Sequence, residues 1–491
     1  MAPSSLVVHE GSDGSDTPAP ADGLARTELA AAGVSAARIE AFLDDVQAAG
    51  LSLHGLMIHR RGAVVLENFW WPYRADRPRV MHSATKSFTA CAVGLALDEG
   101  RLSLQDKVVD FFPDHLPPVV DDKLAAMTVE DLLTMRTGHA HETSGSIWRG
   151  IETSWIAEFF RIPVVHQPGG VYVYTSAASY MLSAILTRAT GQTLHDYLKP
   201  RLFEPLGVVG ETWDVGPDGV NPGGNGLTCK AVDLLKLCIL YTQGGVWEGR
   251  RLLSQDWVQR STRAYGEDYG YHWVVGEQGA ALAVGVFVQM GVSFPQHDAS
   301  MVITAGIDGS KLILPILYRH FPLAFELPPS PEADARLRVR LAPTREVEAL
   351  VSLAEPAPER SGTAEYAIHD NPSGVTALKL DVAADGCGMT LVDAEGEHTI
   401  RVGIGRWVEG RTDMPGRDLH HGYRLQSAVV VAGARWRDPH TLEMTWIFVE
   451  TAFRDTVVCR FSGDRISLSR RVNVNSGPLS QPELVGDRIR R

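Results

Sequence analysis

The chain has 491 residues, too many for one ordinary hydrophobic core, so two or three domains are expected. Apolar residues make up 44% and charged residues 21%, as in ordinary globular proteins, and a formal net charge of −13 argues against nucleic acid and anionic membrane surfaces as partners. The five cysteines are scattered, without metal-ligand or disulfide spacing, and a reducing cytoplasm is the expected compartment.

In chain order, the first 25 residues are rich in Ser, Asp, Gly and Pro and read as a flexible lead without the basic-then-apolar pattern of a signal peptide. No run approaches the ~20 apolar residues of a membrane-spanning helix. "LHGLMIHRRGAVVLENFW" (53–70) reads as a hairpin turning at Arg60-Arg61-Gly62. From Ser83 to about Phe160 the pattern is mostly helical. "MTVEDLLTMRTGH" (127–139) has a Thr128 cap with Asp131 three residues on and Gly138 as its stop. "TSAASYMLSAILTRATG" (175–191) and "KAVDLLKLCILYTQGG" (230–245) are further helices. Strands are expected at 269–275, 283–292 and 299–305, then a helix over 310–321 that Pro315 should bend. Strands at both ends with helices between them predict an α+β domain. One antiparallel sheet gathers strands from both ends, and helices pack over it.

Residues 327–362, rich in Pro, Ala and charge, read as a linker. Short strand-like runs separated by Asp-Gly, Glu-Gly and Gly-Asp turns then fill 363–491, predicting a sandwich or closed barrel of about eight strands. The expected order is therefore a lead (1–25), an α+β domain (26–326), a linker and an all-β domain.

"VMHSATKSFTACAVGLALDEG" (80–100) places Lys86 three residues after Ser83, on the same helix face. Serine is a poor nucleophile without a base in reach, and a lysine drawn toward its neutral form by burial and a helix N-terminus is such a base. The Ser83 N–H would then face a developing oxyanion. A serine N-cap with a lysine one turn in is also an ordinary helix start. The apolar stripe Phe88, Ala92, Leu95 and Ala96 makes this helix a central one and draws Lys86 inward with it. "HQPGGVYVYTSAASY" (166–180) sets Tyr174 two residues before Ser176 at another helix start. A tyrosine beside a lysine can relay a proton, although Tyr172 and Tyr174 also suit a core.

Four ordered blocks now carry a resemblance: "HSATKSFTACAVGLALDEGRLSLQDKVVDFFP", "MTVEDLLTMRTGH", "PGGVYVYTSAASYMLSAILTRATGQTLHDYLKPRLFEPLGV" and "GGNGLTCKAVDLLKLCILYTQGGVWEGRRLLSQDWV". Over residues 40–325 the chain resembles the serine β-lactamase-like superfamily, which includes class C β-lactamases, D-alanyl-D-alanine peptidases, esterases, amidases and acyltransferases. The resemblance implies a β-lactamase/DD-peptidase-like fold, an antiparallel sheet with an all-helical subdomain. It implies Ser83 as acylated nucleophile, Lys86 as base and Tyr174 as proton shuttle. The superfamily's third motif, usually Lys-Thr-Gly or His-x-Gly on a strand, aligns with Val284-Gly285-Val286. Gly285 would allow close backbone approach, and the Val286 N–H would be the second oxyanion donor. Ser176 stands where lactamases carry asparagine. Loss of the third-motif cation weighs against β-lactams and D-Ala-D-Ala peptides and points to the esterase and nylon-dimer branches. The implied reaction needs no metal or organic cofactor, and the implied partner is a small ester, amide or thioester. Acyl transfer, peptide cyclisation, or a slowly acylated sensor are the alternatives. The C-terminal part is expected to be a lipocalin-like barrel, as in the cyclising thioesterases of the superfamily, or a structural or dimerising module without a ligand.

Among other candidates, "GHAHE" (138–142) offers His139 and His141 as metal ligands, but no distant third ligand is evident and hydrogen-bonding histidines are the default. His420-His421 is weaker. "NPGGNG" (221–226) lacks the ending of a phosphate loop and reads as a tight turn lining the cleft, with Asn225 as a polar contact. Trp70, Trp71, Trp148 and Trp155 suit core packing, with an acyl pocket as the alternative.

Overall fold

The computed structural model describes residues 22–144, 147–342, 350–357 and 360–490. Most of the expected lead (1–25) lies outside them. The described residues form two compact units, the first ending at Ala342.

The first unit is built on a seven-stranded sheet. Its strands are β1 (Ala25–Arg26), β2 (Leu53–Arg60), β3 (Ala63–Phe69), β4 (Val274–Val275), β5 (Ala281–Gly285), β6 (Gln289–Phe294) and β7 (Ala299–Ala305), in the order β1-β3-β2-β7-β6-β5-β4. The hairpin β2–β3 turns at Arg61 and Gly62, both at positive φ (49° and 83°), the twist that suits a two-residue turn. β2 pairs antiparallel with β7, so the sheet joins both ends of the unit as expected, and only β1–β3 is parallel.

Alternation along β7 assigns its side chains to two cores: Met301 and Ile303 to one face, Val302 to the other. The first face packs on α1 (Ala36–Ala48), whose Ile39, Phe42 and Val46 are buried. The second carries the helical subdomain, including α2 (Thr85–Asp98), α3 (Ser176–Thr190) and α4 (Ala231–Thr242). Thr128 and Asp131 close the expected capping box, but the helix ends early, at Leu133. Gly191 ends α3 in the left-handed conformation.

Four expectations change. Residues 283–292 are not one strand: β5 ends at Gly285, and Phe287 and Val288 turn back into β6 at positive φ (61° and 66°). Only Val274–Val275 of the 269–275 run is strand. Pro315 opens α5 (Leu314–His320) instead of bending it, since the first turn needs no N–H there. The stretch read as a linker contains α6 (Pro331–Leu341), which packs on α1 through Ala333 and Leu337, with Arg336–Glu40 (2.9 Å) and Arg340–Asp44 (2.6 Å) ion pairs outside. Its apolar stripe was too narrow to stand out among the charges.

The second unit contains β8 (Gly362–Ile368), β9 (Ala377–Val382), β10 (Gly386–Val392), β11 (Glu397–Ile404), β12 (Trp407–Thr412), β13 (Ala428–Asp438), β14 (Thr441–Phe448), β15 (Arg454–Ser462), β16 (Arg465–Val472) and β17 (Leu484–Arg488). They run in the order β11-β10-β9-β8-β17-β16-β15-β14-β13-β12. A short parallel pairing of β11 with β13 closes nine of them into a barrel, and β12 pairs on β13. Leu378, Met389, Ile400, Trp436, Met444 and Trp446 are fully buried at alternate strand positions. One ionic cluster is buried with them. Asp455 lies 3.0 Å from His420 Nε2 and accepts from Arg470 Nε at 2.7 Å. His420 thus anchors the loop between β12 and β13 to the barrel wall and is no metal-ligand candidate.

Candidate active site

Ser83 lies in a single 3-10 turn, His82–Ala84, just ahead of α2. Its hydroxyl caps nothing; α2 starts without a side-chain cap. His82 before it is left-handed (φ 49°), and its ring meets Phe287 edge-on at 5.7 Å. The nucleophile candidate is therefore presented on a tight, strained turn braced by the β5–β6 hairpin.

Lys86 is 2% exposed, an unusual place for a lysine. Its Nζ lies 3.3 Å from Ser83 Oγ, 3.0 Å from Ser176 Oγ and 3.0 Å from the Gly224 carbonyl. The Tyr174 ring covers it, with Nζ 4.7 Å from the centroid. That contact is through the ring face. Tyr174 in turn meets Tyr269 edge-on at 6.1 Å.

Ser176 opens α3, which Thr175 caps. Glu142 Oε1 fixes this corner: it accepts from Ser144 N (2.9 Å), Ser144 Oγ (2.7 Å), Thr175 Oγ1 (3.0 Å) and Ser176 N (3.3 Å). Two glycines allow backbone to reach the site. A Cβ on Gly224 would stand 3.0 Å from Ser176 Cβ and 3.2 Å from Lys86 Nζ, and one on Gly285 would stand 2.3 Å from the Met81 carbonyl. β5 accordingly packs directly on the His82–Ala84 turn. Val286 is the next residue, in the hairpin turn, and among the described residues its N–H has no backbone acceptor.

The structure thus brings Ser83, Lys86, Tyr174 and Ser176 together and sets Gly285 against the Ser83 turn. From "NPGGNG" it brings the Gly224 carbonyl to Lys86, whereas the Asn225 carbonyl accepts from Trp213 Nε1 at 3.0 Å. Gly224, Glu142, Ser179 and His272 were not anticipated. The paired glycines were the one sequence signal for the first. His139 is buried against Phe159 and bonded to Thr137 Oγ1 at 2.8 Å. Burial first, and His141 nearby, push its imidazole down to about 4. Among the described residues no three His, Cys, Asp or Glu side chains are grouped to hold a metal ion. Trp148 and Trp155 pack with Tyr180 in the helical core.

A family model described as Beta-lactamase matches residues 36–311, more than half of the chain. The 6-aminohexanoate-dimer hydrolase of Paenarthrobacter ureafaciens is 26% identical over 217 residues, 40% of this chain and 54% of that protein. Esterase EstB of Burkholderia gladioli is 27% identical over 197 residues, 35% of this chain and 50% of its own length. The matches thus span only about half the length of these curated relatives. A solved Bacillus anthracis structure, provisionally named a 6-aminohexanoate-dimer hydrolase, superposes with a TM-score of 0.52 at 17% identity, covering 62% of this chain and 87% of that one. At that identity it bears on the fold alone.

Proposed function

The chain belongs to the beta-lactamase family, and from the site geometry we propose that it is a serine hydrolase of esters or amides that works through an acyl-serine intermediate. The observation that carries this reading is the buried Lys86 Nζ 3.3 Å from Ser83 Oγ. Ser83 Oγ attacks the substrate carbonyl and its proton passes to Lys86. The new oxyanion is held by the N–H groups of Ser83 and Val286. Tyr174, packed against Lys86 through its ring, is assigned the relay, its hydroxyl passing the proton on to the leaving alkoxide or amine once substrate is bound. Water then attacks the acyl-serine, returns its proton by the same route and releases the acid. These steps draw on protein groups only, so no metal or organic cofactor is assigned.

The substrate class follows from what flanks the nucleophile. Val284 and Val286 stand where related enzymes carry a cation for a substrate carboxylate. Neutral esters, amides or thioesters fit better than β-lactams or D-Ala-D-Ala peptides. Relatives named as an esterase and as a 6-aminohexanoate-dimer hydrolase support the same direction. We place the reaction in the cytoplasm because all five cysteines are free and buried.

Hydrolysis of p-nitrophenyl esters by the unmutated protein and by Ser83→Ala tests the reading. Steady turnover that Ser83→Ala abolishes is expected. Turnover that survives Ser83→Ala would overturn it. Acceleration by added amine would move the assignment to acyl transfer, and acylation without release to a sensor.

A further inference from the structure

His272 is buried to 2% exposure and adopts left-handed backbone at φ 59°. For a residue other than glycine that conformation is costly and persists only where the surroundings over-determine it. Here five hydrogen bonds do so. The ring Nδ1 lies 3.0 Å from the Leu133 carbonyl, which can only accept, so Nδ1 carries the hydrogen. The other nitrogen, Nε2, is then the acceptor for Ser179 Oγ at 2.9 Å. The His272 N–H is shared between the Gly270 (3.1 Å) and Leu133 (3.3 Å) carbonyls, and its own carbonyl accepts from Ser87 Oγ at 2.9 Å.

These partners are not scattered. Ser87 follows Lys86 on α2. Ser179 lies one turn after Ser176 on α3. Leu133 ends the short helix Val129–Leu133. One residue therefore ties together the two helices that deliver Lys86 and Ser176, and locks both to a third. In the neutral ring Nδ1 donates to the Leu133 carbonyl and Nε2 accepts from Ser179 Oγ. Burial, with Lys86 nearby, pushes the ring down to about 3 and keeps it neutral.

We infer that His272 is a positioning residue that fixes the Lys86–Ser176 separation by clamping α2 and α3 through Ser87 and Ser179. The inference rests on the serine-hydrolase reading above and adds to it a specific determinant of rate.

The test compares kcat and KM for a p-nitrophenyl ester, and the rate of fluorophosphonate labelling at Ser83, in the full-length protein and three variants. His272→Gly removes the ring and keeps the backbone conformation at no steric cost. His272→Asn tolerates positive φ and retains both a donor and an acceptor. Ser179→Ala removes one bond only. Expected are a loss in kcat of at least about tenfold for His272→Gly with KM within about threefold, since sub-ångström misplacement of catalytic groups costs that much. His272→Asn should recover most of the rate, and labelling should slow in parallel with kcat. Wild-type kcat in a folded His272→Gly would overturn the inference. So would equal losses in the Gly and Asn variants. If His272→Gly does not fold, Ser179→Ala decides: an unchanged rate refutes the clamp. An unmutated protein that resists labelling at Ser83 would instead refute the hydrolase reading itself, and the inference with it.

Discussion

Lys86 Nζ has three oxygens in reach, Ser83 Oγ, Ser176 Oγ and the Gly224 carbonyl. The Gly224 carbonyl can only accept, so one N–H is committed there. The two hydroxyls can each donate or accept, and Ser83 is the one on the strained turn. The proposed role of Lys86 as the base leads to two expected outcomes. Lys86→Met should reduce kcat by about 10²- to 10⁴-fold, the usual worth of a positioned general base, while the protein stays folded. Ser176→Ala should lose about 10- to 100-fold, since a hydrogen bond to the ammonium formed during attack is worth about 1.5–3 kcal/mol. Steady-state ester hydrolysis checks both, and a Ser176→Ala rate equal to wild type would remove Ser176 from the site. Gly285→Ala is the matching test for the opposite wall. Its Cβ would fall 2.3 Å from the Met81 carbonyl, so the Ser83 turn must shift and kcat should fall at least about tenfold.

Elements were legible where local chemistry decides them. The Thr128–Asp131 box, Gly191 at the end of α3 and the β2–β3 turn are all written in a few adjacent residues. So was the pairing of Ser83 with Lys86, because a helix fixes the i, i+3 relation. What the sequence concealed depends on distant partners. β5 and β6 read as one strand because the turn between them, Val286-Phe287-Val288, is as apolar as the strands. α6 hid among charges because only Ala333, Asp334 and Leu337 face inward. Glu142 and His272 lie far from α2 in sequence and look like surface polar residues until the fold brings them to it. The barrel likewise hid its ionic centre. Asp455, His420 and Arg470 come from separate segments, and burial pushes the Asp455 carboxyl up only for Arg470 and His420 to hold it below its ordinary value. Asp455→Ala would strand a buried guanidinium, and about 3–5 kcal/mol of destabilisation is expected by denaturant melts that follow the barrel. Ser83 chemistry should persist in that variant under conditions where the barrel stays folded.

Across the whole molecule, family and fold agree, while the proposed substrate class rests on the one strand that departs from the usual pattern. Acid should weaken the first unit before it touches the chemistry. His272 and His139 are held at about 3 and about 4, below the ordinary 6.5. Below pH 6.5 the unfolded chain takes up protons that the folded one refuses. Their stabilisation is complete above that pH and is lost as pH falls toward 4, by about 2 kcal/mol for each group at pH 5. Asp233, which burial pushes up to about 6, works in the opposite direction and offsets part of the loss. Thermal melts between pH 7 and pH 5 should show a falling midpoint, and a less steep fall in a His139→Gln variant. The most direct measurement, however, concerns one bond. The intact protein is incubated with a fluorophosphonate, its mass is recorded and the adduct is mapped by peptide sequencing. A single adduct on Ser83, absent from Ser83→Ala and formed far more slowly by Lys86→Met, is the predicted result. No adduct, or one on another residue, would contradict the Ser83–Lys86 assignment.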